Sequence, residues 1–201
     1  MGKNMSVKDA IAEFEKRTEN KERYPDGPYK ADSCLEVDLY GMYPPVAKMD
    51  ATLATLKKCE RLSLSTNNID KITSLSGLDN LKILSLGRNV IKKIENLDGV
   101  ADTLEELWLS YNMIDKLTGL AGCDSLKILH MGQNNIKSWE EIEKLAQCDK
   151  LEEILFIGCP IWKDNQEGNA WRLGCLKRLP KLKKIDGVPV DDDEREEAAN
   201  M

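Results

Sequence analysis

The side chains best suited to nucleophilic, acid–base or metal chemistry are few and scattered. There is one histidine, His130, and six cysteines: Cys34, Cys59, Cys123, Cys148, Cys159 and Cys175. No two cysteines are close enough for a CxxC knuckle, and a single imidazole adds little to a Cys/His zinc set. No GxSxG, HExxH or P-loop pattern occurs, so no nucleophile–base pair can be named. The 35 Asp and Glu residues fall mostly at positions that read as solvent-facing, where a hydrated charge needs no further role. The expectation is a chain with no catalytic residue, no metal and no cofactor. Its cysteines then serve as small apolar core residues of a reduced, soluble, intracellular protein.

The charge distribution narrows the partners. Net charge is −6, from 29 Lys and Arg against 35 Asp and Glu. Residues Asp191 to Met201 hold six acids and one base, Arg195, and so contribute −5; the remaining 190 residues stand at −1. No domain-wide positive field exists to hold a nucleic-acid backbone. No apolar run approaches the ~20 residues of a membrane span, and the N-terminus has no hydrophobic signal region. Neither nucleic acid nor membrane is expected as a partner. Met1 to Ser6 formally fits an N-myristoylation pattern, but Lys3 suits it poorly.

The elements that position these residues follow from a repeat. Leu81-Lys-Ile-Leu84-Ser-Leu86-Gly-Arg-Asn89-Val-Ile91 reads LxxLxLxxNxI, as do Leu104 to Ile114 and Leu126 to Ile136. Cys59 to Ile69 begins with Cys for Leu, and Leu151 to Ile161 has Cys159 for Asn. The Asn-position residues 67, 89, 112, 134 and 159 are spaced by 22, 23, 22 and 25. Five matches in register at a near-constant period identify an α/β leucine-rich repeat solenoid with a parallel concave sheet. In each LxL the leucines point inward and their neighbours outward. The stacked Asn amides bond turn backbone, and the ladder is expected to end at Cys159, which is a poorer donor and acceptor.

The other half of each repeat is apolar every third residue, as in Ile69, Ile72, Leu75 and Leu78. That period predicts short 3₁₀-like turns on the convex side. The fifth repeat is longer, and Trp139, Ile142, Leu145 and Ala146 predict helical turns with Glu140, Glu141 and Lys144 outside. Helical caps are expected at both ends, because terminal repeats otherwise expose core. Ser6 with Asp9 starts an N-terminal helix whose stripe is Val7, Ile11 and Phe14. Asn20 to Ser33 reads as a loop insert. Trp171 to Val190 is the C-terminal cap: Leu173, Leu176 and Leu179 share a helix face, Pro180 stops it, and Leu182 and Ile185 offer a last edge strand. The organisation is therefore 1–34, N-terminal helix and insert; 35–162, repeats; 163–190, C-terminal cap; 191–201, acidic tail.

The outward positions of the sheet carry the candidate site. Ser63, Ser65, Ser85, Gly87, Ser110 and Gly132 clear one lane, and beside it run Ile83, Trp108, Ile128, Leu155 and Ile157, with His130 among them and Tyr111 just beyond Trp108. Apolar residues facing away from the core around a central Trp and Tyr read as a partner-binding face. A second candidate is the basic cluster Lys177, Arg178, Lys181, Lys183 and Lys184 on the C-terminal cap, which could meet an acidic partner.

The strings outside the repeat are more specific. Tyr40-Gly-Met-Tyr-Pro-Pro-Val-Ala-Lys-Met-Asp50-Ala-Thr-Leu, Leu104-Glu-Glu-Leu-Trp-Leu-Ser-Tyr-Asn112 and the segment Arg178 to Glu196 (RLPKLKKIDGVPVDDDERE) resemble the axonemal dynein light chain 1 family, the leucine-rich repeat light chains of ciliary outer-arm dynein. The resemblance runs from Val7 to about Glu197. It implies a non-catalytic subunit of the axoneme in cilia and flagella. Such a subunit binds a dynein heavy chain at the microtubule-binding head of its stalk and tunes motor–microtubule engagement. Trp108 and Tyr111 match the family's aromatic pair on the docking face. This chain departs from the family in a longer Asn20 to Ser33 insert, in Cys159, and in a tail with only Arg195 as a base. If tubulin is a direct partner, Lys177 to Lys184 are better placed than the tail. The runner-up is a generic intracellular leucine-rich repeat adaptor, phosphatase-regulatory or spliceosomal A-prime-like.

Overall fold

The computed structural model describes residues 4–17 and 30–201. Among these, eight short strands form one sheet in sequence order: β1 (Glu36–Asp38), β2 (Arg61–Ser63), β3 (Ile83–Ser85), β4 (Glu106–Trp108), β5 (Ile128–His130), β6 (Glu153–Leu155), β7 (Lys184–Ile185) and β8 (Val188–Pro189). The first seven are parallel, and equivalent repeat positions pair: Leu62, Leu84, Leu107, Leu129, Ile154 and Ile185 lie side by side. All six are fully buried, as are Leu64, Leu86, Leu109, Met131 and Phe156 two positions on. A near-constant period stacks like on like, so every turn of the chain fills the same slot of a continuous core. Just before the strands, Glu60, Lys82, Glu105, Lys127, Glu152 and Lys183 form a row of alternating sign. Its lysines bond back to Glu60, Glu105 and Glu152 at 2.7, 2.6 and 2.7 Å.

Convex 3₁₀ turns occur where the period-three pattern predicts them, at Asp98–Val100 and Thr118–Leu120, whereas the 69–81 segment buries Ile69, Ile72, Leu75 and Leu78 through turns alone. Packing between these turns leaves no room at Gly119: an added Cβ would sit 1.8 Å from the Ile94 carbonyl oxygen. Because that neighbour is backbone, Gly119→Ala should lower unfolding free energy by about 1–3 kcal/mol in urea titration. An unchanged midpoint would contradict this packing.

In the fifth repeat, α2 (Trp139–Glu143) runs into a 3₁₀ turn at Lys144–Gln147. Two positions differ from expectation. Ala146 is exposed, because the 3₁₀ turn advances more per residue than an α-helix and carries it off the core face. Glu141 is only 4% exposed. Its carboxylate accepts from Lys144 at 2.6 Å and the Leu117 N–H at 2.8 Å, with Lys116 at 3.2 Å. Burial pushes this carboxyl upward, but the two lysines and the N–H together hold it below the usual range.

The Asn ladder is continuous. Asn112 Nδ2 donates to the Leu86 and Leu109 carbonyls, and Oδ1 accepts from the Ile91 N–H. Asn89 and Asn134 repeat the pattern one rung either side. Contrary to expectation the ladder does not stop at Cys159. That thiol donates to the Met131 carbonyl at 3.2 Å, the bond an Asn would make.

At the N-terminal end, α1 (Val7–Lys16) is capped by the Ser6 hydroxyl, which accepts from the Asp9 N–H; Val7, Ala10 and Phe14 are buried and Ile11 half-buried. Of the expected insert, residues 20–29 lie outside the described residues, and Ala31–Ser33 form a 3₁₀ turn. At the other end, α3 (Pro160–Lys163) and α4 (Ala170–Arg178) lead to a hairpin at Asp186–Gly187. Both turn residues have positive φ, which suits an Asp-Gly hairpin. β7 is therefore not the edge; β8 lies beyond it. The Asp186 carboxylate accepts from the Phe156 N–H and the Trp171 indole N–H, at 2.6 and 2.7 Å.

The acidic segment folds as α5 (Asp192–Ala199), with a reciprocal Asp191–Glu194 capping box, and packs on α4 with Ala198 buried. Arg172 joins the two. It donates to the Ile185, Val188 and Pro189 carbonyls and to the Glu194 carboxylate. Arg172 holds the Glu194 carboxyl down to about 2, against an ordinary 4.5. A carboxyl depressed in the folded state contributes stability above its unfolded value and loses it on protonation. Thermal stability should therefore fall between about pH 4.5 and 2 through this pair. In Glu194→Gln that part of the decline should disappear from melts recorded across the range, and an unaltered pH profile would contradict the assignment.

Candidate functional site

The concave face has three outward rows. The first follows strand register: Glu36, Arg61, Ile83, Glu106, Ile128, Glu153 and Lys184. The second is Asp38, Ser63, Ser85, Trp108, His130 and Leu155. Backbone bonds continue the stack to a third, comprising Ser65, Gly87, Ser110, Gly132 and Ile157. Trp108, His130 and Leu155 are therefore consecutive neighbours. Ile83 and Ile128 stand one row away and alternate with Glu106 and Glu153. Ile157 closes the third row, which is otherwise a floor of Ser and Gly. Of the lane expected from the sequence, Ser65, Gly87, Ser110 and Gly132 form this floor, while Ser63 and Ser85 lie in the row of Trp108. A Cβ at Gly132 would meet Leu155 Cδ2 at 2.6 Å and the Ile157 carbonyl oxygen at 3.1 Å, so a larger residue in the floor would have to push the Leu155 side chain aside.

Trp108 is held by its faces. His130 stacks on it at 5.7 Å between centroids and 18° between planes, and the Arg61 guanidinium lies 5.4 Å from its ring centre. Its indole N–H is buried and has no acceptor among the described residues, so stacking rather than hydrogen bonding fixes the ring. His130 Nε2 meets Glu153 at 3.0 Å, and Lys184 holds the other oxygen of that carboxylate at 3.2 Å. The side chains expected at the site are half-buried rather than fully exposed, apart from Tyr111 and Ile157, which stand out from the surface.

Tyr111 lies outside the three rows, at the strand-end rim. It shares a rung with Thr66, Arg88 and Gln133, all with positive φ near 55–60° (57, 53, 61 and 55° along the chain). The shared backbone geometry throws adjacent side chains out together, and Arg88 rests on Tyr111 at 4.2 Å. Next to them Val90 and Met113 are 36% and 46% exposed. Arg61, Arg88, Val90 and Met113 join the site only in the folded structure. Aligning the residues on either side of each ladder Asn brings the last three together.

The basic cluster is already paired. Arg178 meets Glu143, Lys181 meets Asp149, Lys183 meets Glu152 and Lys184 meets Glu153, while Lys177 donates to the Met201 carbonyl. Lys184 is on the concave sheet rather than with the others on the cap. Among the described residues no group of three His, Cys, Asp or Glu could hold a metal. All six cysteines are free and buried, and burial pushes the thiols of Cys59, Cys123 and Cys148 up to about 12, 11 and 12. Such thiols are poor nucleophiles near neutrality. No described helix is long and apolar enough to cross a membrane.

Comparison with known proteins agrees with the repeat fold. A family model for leucine-rich repeats (2 copies) matches residues 102–147. A chain of the Drosophila melanogaster SNF/U2A′ complex is similar with a TM-score of 0.54, 23% identity, and coverage of 82% of this chain and 79% of that one. At that identity the likeness is one of fold. Sequence similarity goes further. Dynein axonemal light chain 1 of Chlamydomonas reinhardtii is 61% identical, covering 98% of this chain and 97% of its own. The protein of the same name from Bos taurus is 54% identical, over 98% of this chain and 99% of its own. With identity this high over almost the whole length of both, the chain belongs to the axonemal dynein light chain 1 family.

Proposed function

We propose that the chain is a non-catalytic subunit of ciliary outer-arm dynein, working in the axoneme. Its concave sheet docks a dynein heavy chain at the microtubule-binding head of the stalk, and docking biases how that head meets the microtubule. The observation that carries this reading is Trp108, fixed between Arg61 and His130 at the centre of a half-exposed face, in a chain with full-length likeness to dynein light chains. A pre-positioned aromatic of this kind is what an interface anchor requires, since little side-chain entropy is left to lose on binding. The biasing is steric and electrostatic. Lys177, Arg178, Lys181 and Lys183 must exchange their present partners before they can touch tubulin. The exposed acids Asp192, Asp193, Glu196 and Glu197 of α5 repel an acidic surface turned toward them.

Crosslinking mass spectrometry on native axonemes tests this. Lys127 and Lys184, which border the concave face, should link to the heavy-chain stalk head. Links confined to heavy-chain segments outside the stalk would overturn the proposal.

A further inference from the structure

Among the described residues, two cations on the docking face have no carboxylate partner. Arg61 and Arg88 are both exposed, and among the described residues neither meets an acidic side chain; each lies instead on an aromatic ring, Trp108 and Tyr111 respectively. Nearby lysines behave differently. Lys82, Lys127, Lys183 and Lys184 are each bonded to a glutamate. The edge of the sheet where strands begin is thus neutralised by its own alternating row. The edge where strands end carries Arg88, Tyr111, Val90 and Met113.

We propose that Arg61 and Arg88 are receivers for carboxylates, so that the partner segment laid along the Ser65–Gly87–Ser110–Gly132 floor is acidic as well as apolar. The inference rests on the reading that this face docks the heavy chain, and it adds the chemistry of the segment that docks. A guanidinium held over a ring by cation–π attraction does not spend its N–H donors on that contact, and those donors are what a carboxylate accepts from in two parallel bonds. The ring also holds the side chain still before the partner arrives, which lowers the entropic cost of ordering it. Arg61 reaches across β3 to Trp108 and so stands on one side of the floor. Arg88 with Tyr111 stands on the other. Glu36, Asp38 and Glu106 share the face, so no long-range positive field draws the partner in. Recognition is by short-range paired hydrogen bonds at two points, with apolar contact to Trp108, Leu155 and Ile157 alongside.

The test has two arms, both with the full chain. In the first, binding to purified heavy chain freed of its light chain is compared among wild type, Arg61→Glu with Arg88→Glu, Arg61→Lys with Arg88→Lys, and Trp108→Ala. The charge-reversed pair should bind at least about tenfold more weakly, with the lysine pair between it and wild type and with unchanged melting temperatures. If Trp108→Ala weakens binding but charge reversal stays within twofold, the docking reading stands and the carboxylate receivers fall. In the second arm, two amphipathic peptides of the same leucine–alanine frame, one bearing Glu and one Lys, are titrated against isotope-labelled protein. The Glu peptide should shift the Arg61 and Arg88 Nε–H signals at lower concentration than the Lys peptide. Equal response to both would overturn the inference, whatever the heavy chain does.

Discussion

Trp108→Ala is expected to weaken heavy-chain binding by about 2 kcal/mol or more, which is about 30-fold in Kd, while leaving the fold intact. The two halves of that expectation come from the same geometry. The ring is on the outer side of β4, and the inner neighbours Leu107 and Leu109, which hold the strand in the core, are fully buried. Among the described residues the indole N–H has no acceptor to lose. Truncation removes the stacking seat for both His130 and Arg61 and leaves a hollow at the centre of the face. His130→Ala should do less, because Glu153 remains held by Lys184. Titration of each variant against heavy chain, with melting curves recorded in parallel, checks the claim. Affinity within a factor of two of wild type would remove Trp108 from the interface.

The second large effect is on stability. Asn112→Ala should reduce unfolding free energy by about 2–4 kcal/mol. Its amide donates to the Leu86 and Leu109 carbonyls, but each of those keeps a second donor, from Asn89 and Asn134 respectively. The main cost is the Ile91 N–H, whose bond to Asn112 Oδ1 at 3.0 Å lies wholly within the core. Losing that acceptor strands a buried donor beside a new cavity. Asn67→Ala is the milder control, since Asn67 is only half-buried and water can reach part of its site. Urea unfolding of both variants makes the comparison. A loss below about 1 kcal/mol for Asn112→Ala would mean the ladder is decorative.

Much of this architecture is legible in the residues themselves. A period of 22–25 with LxL and Asn at fixed offsets dictates strand direction, register and the inward face, because only one stacking buries every leucine at once. Trp108 is findable for the same reason, as a large aromatic at a position the pattern turns outward. What escapes the pattern depends on long side chains meeting across repeats. Glu141 reads as a solvent residue by helical period, yet Leu117 and Lys116 come from the previous repeat to receive it. The cap lysines look like a free positive patch until Glu143, Asp149, Glu152 and Glu153 are placed opposite them. Cys159 looks like a broken rung, because a thiol's role as donor depends on a carbonyl 28 residues earlier. Arg61 and Arg88 acquire meaning only through the rings they lie on.

The alternating row from Glu60 to Lys183 has a consequence for how such a chain can change length. Each bond within it joins opposite signs one coil apart, at 2.6–2.7 Å. Gain or loss of a single coil inside the row would bring two like charges side by side. Gain or loss of two coils would leave the alternation whole. The individual pairs are exposed and each contributes only about 0–1 kcal/mol, but the rule they impose is one of parity: this solenoid is built to be counted in twos.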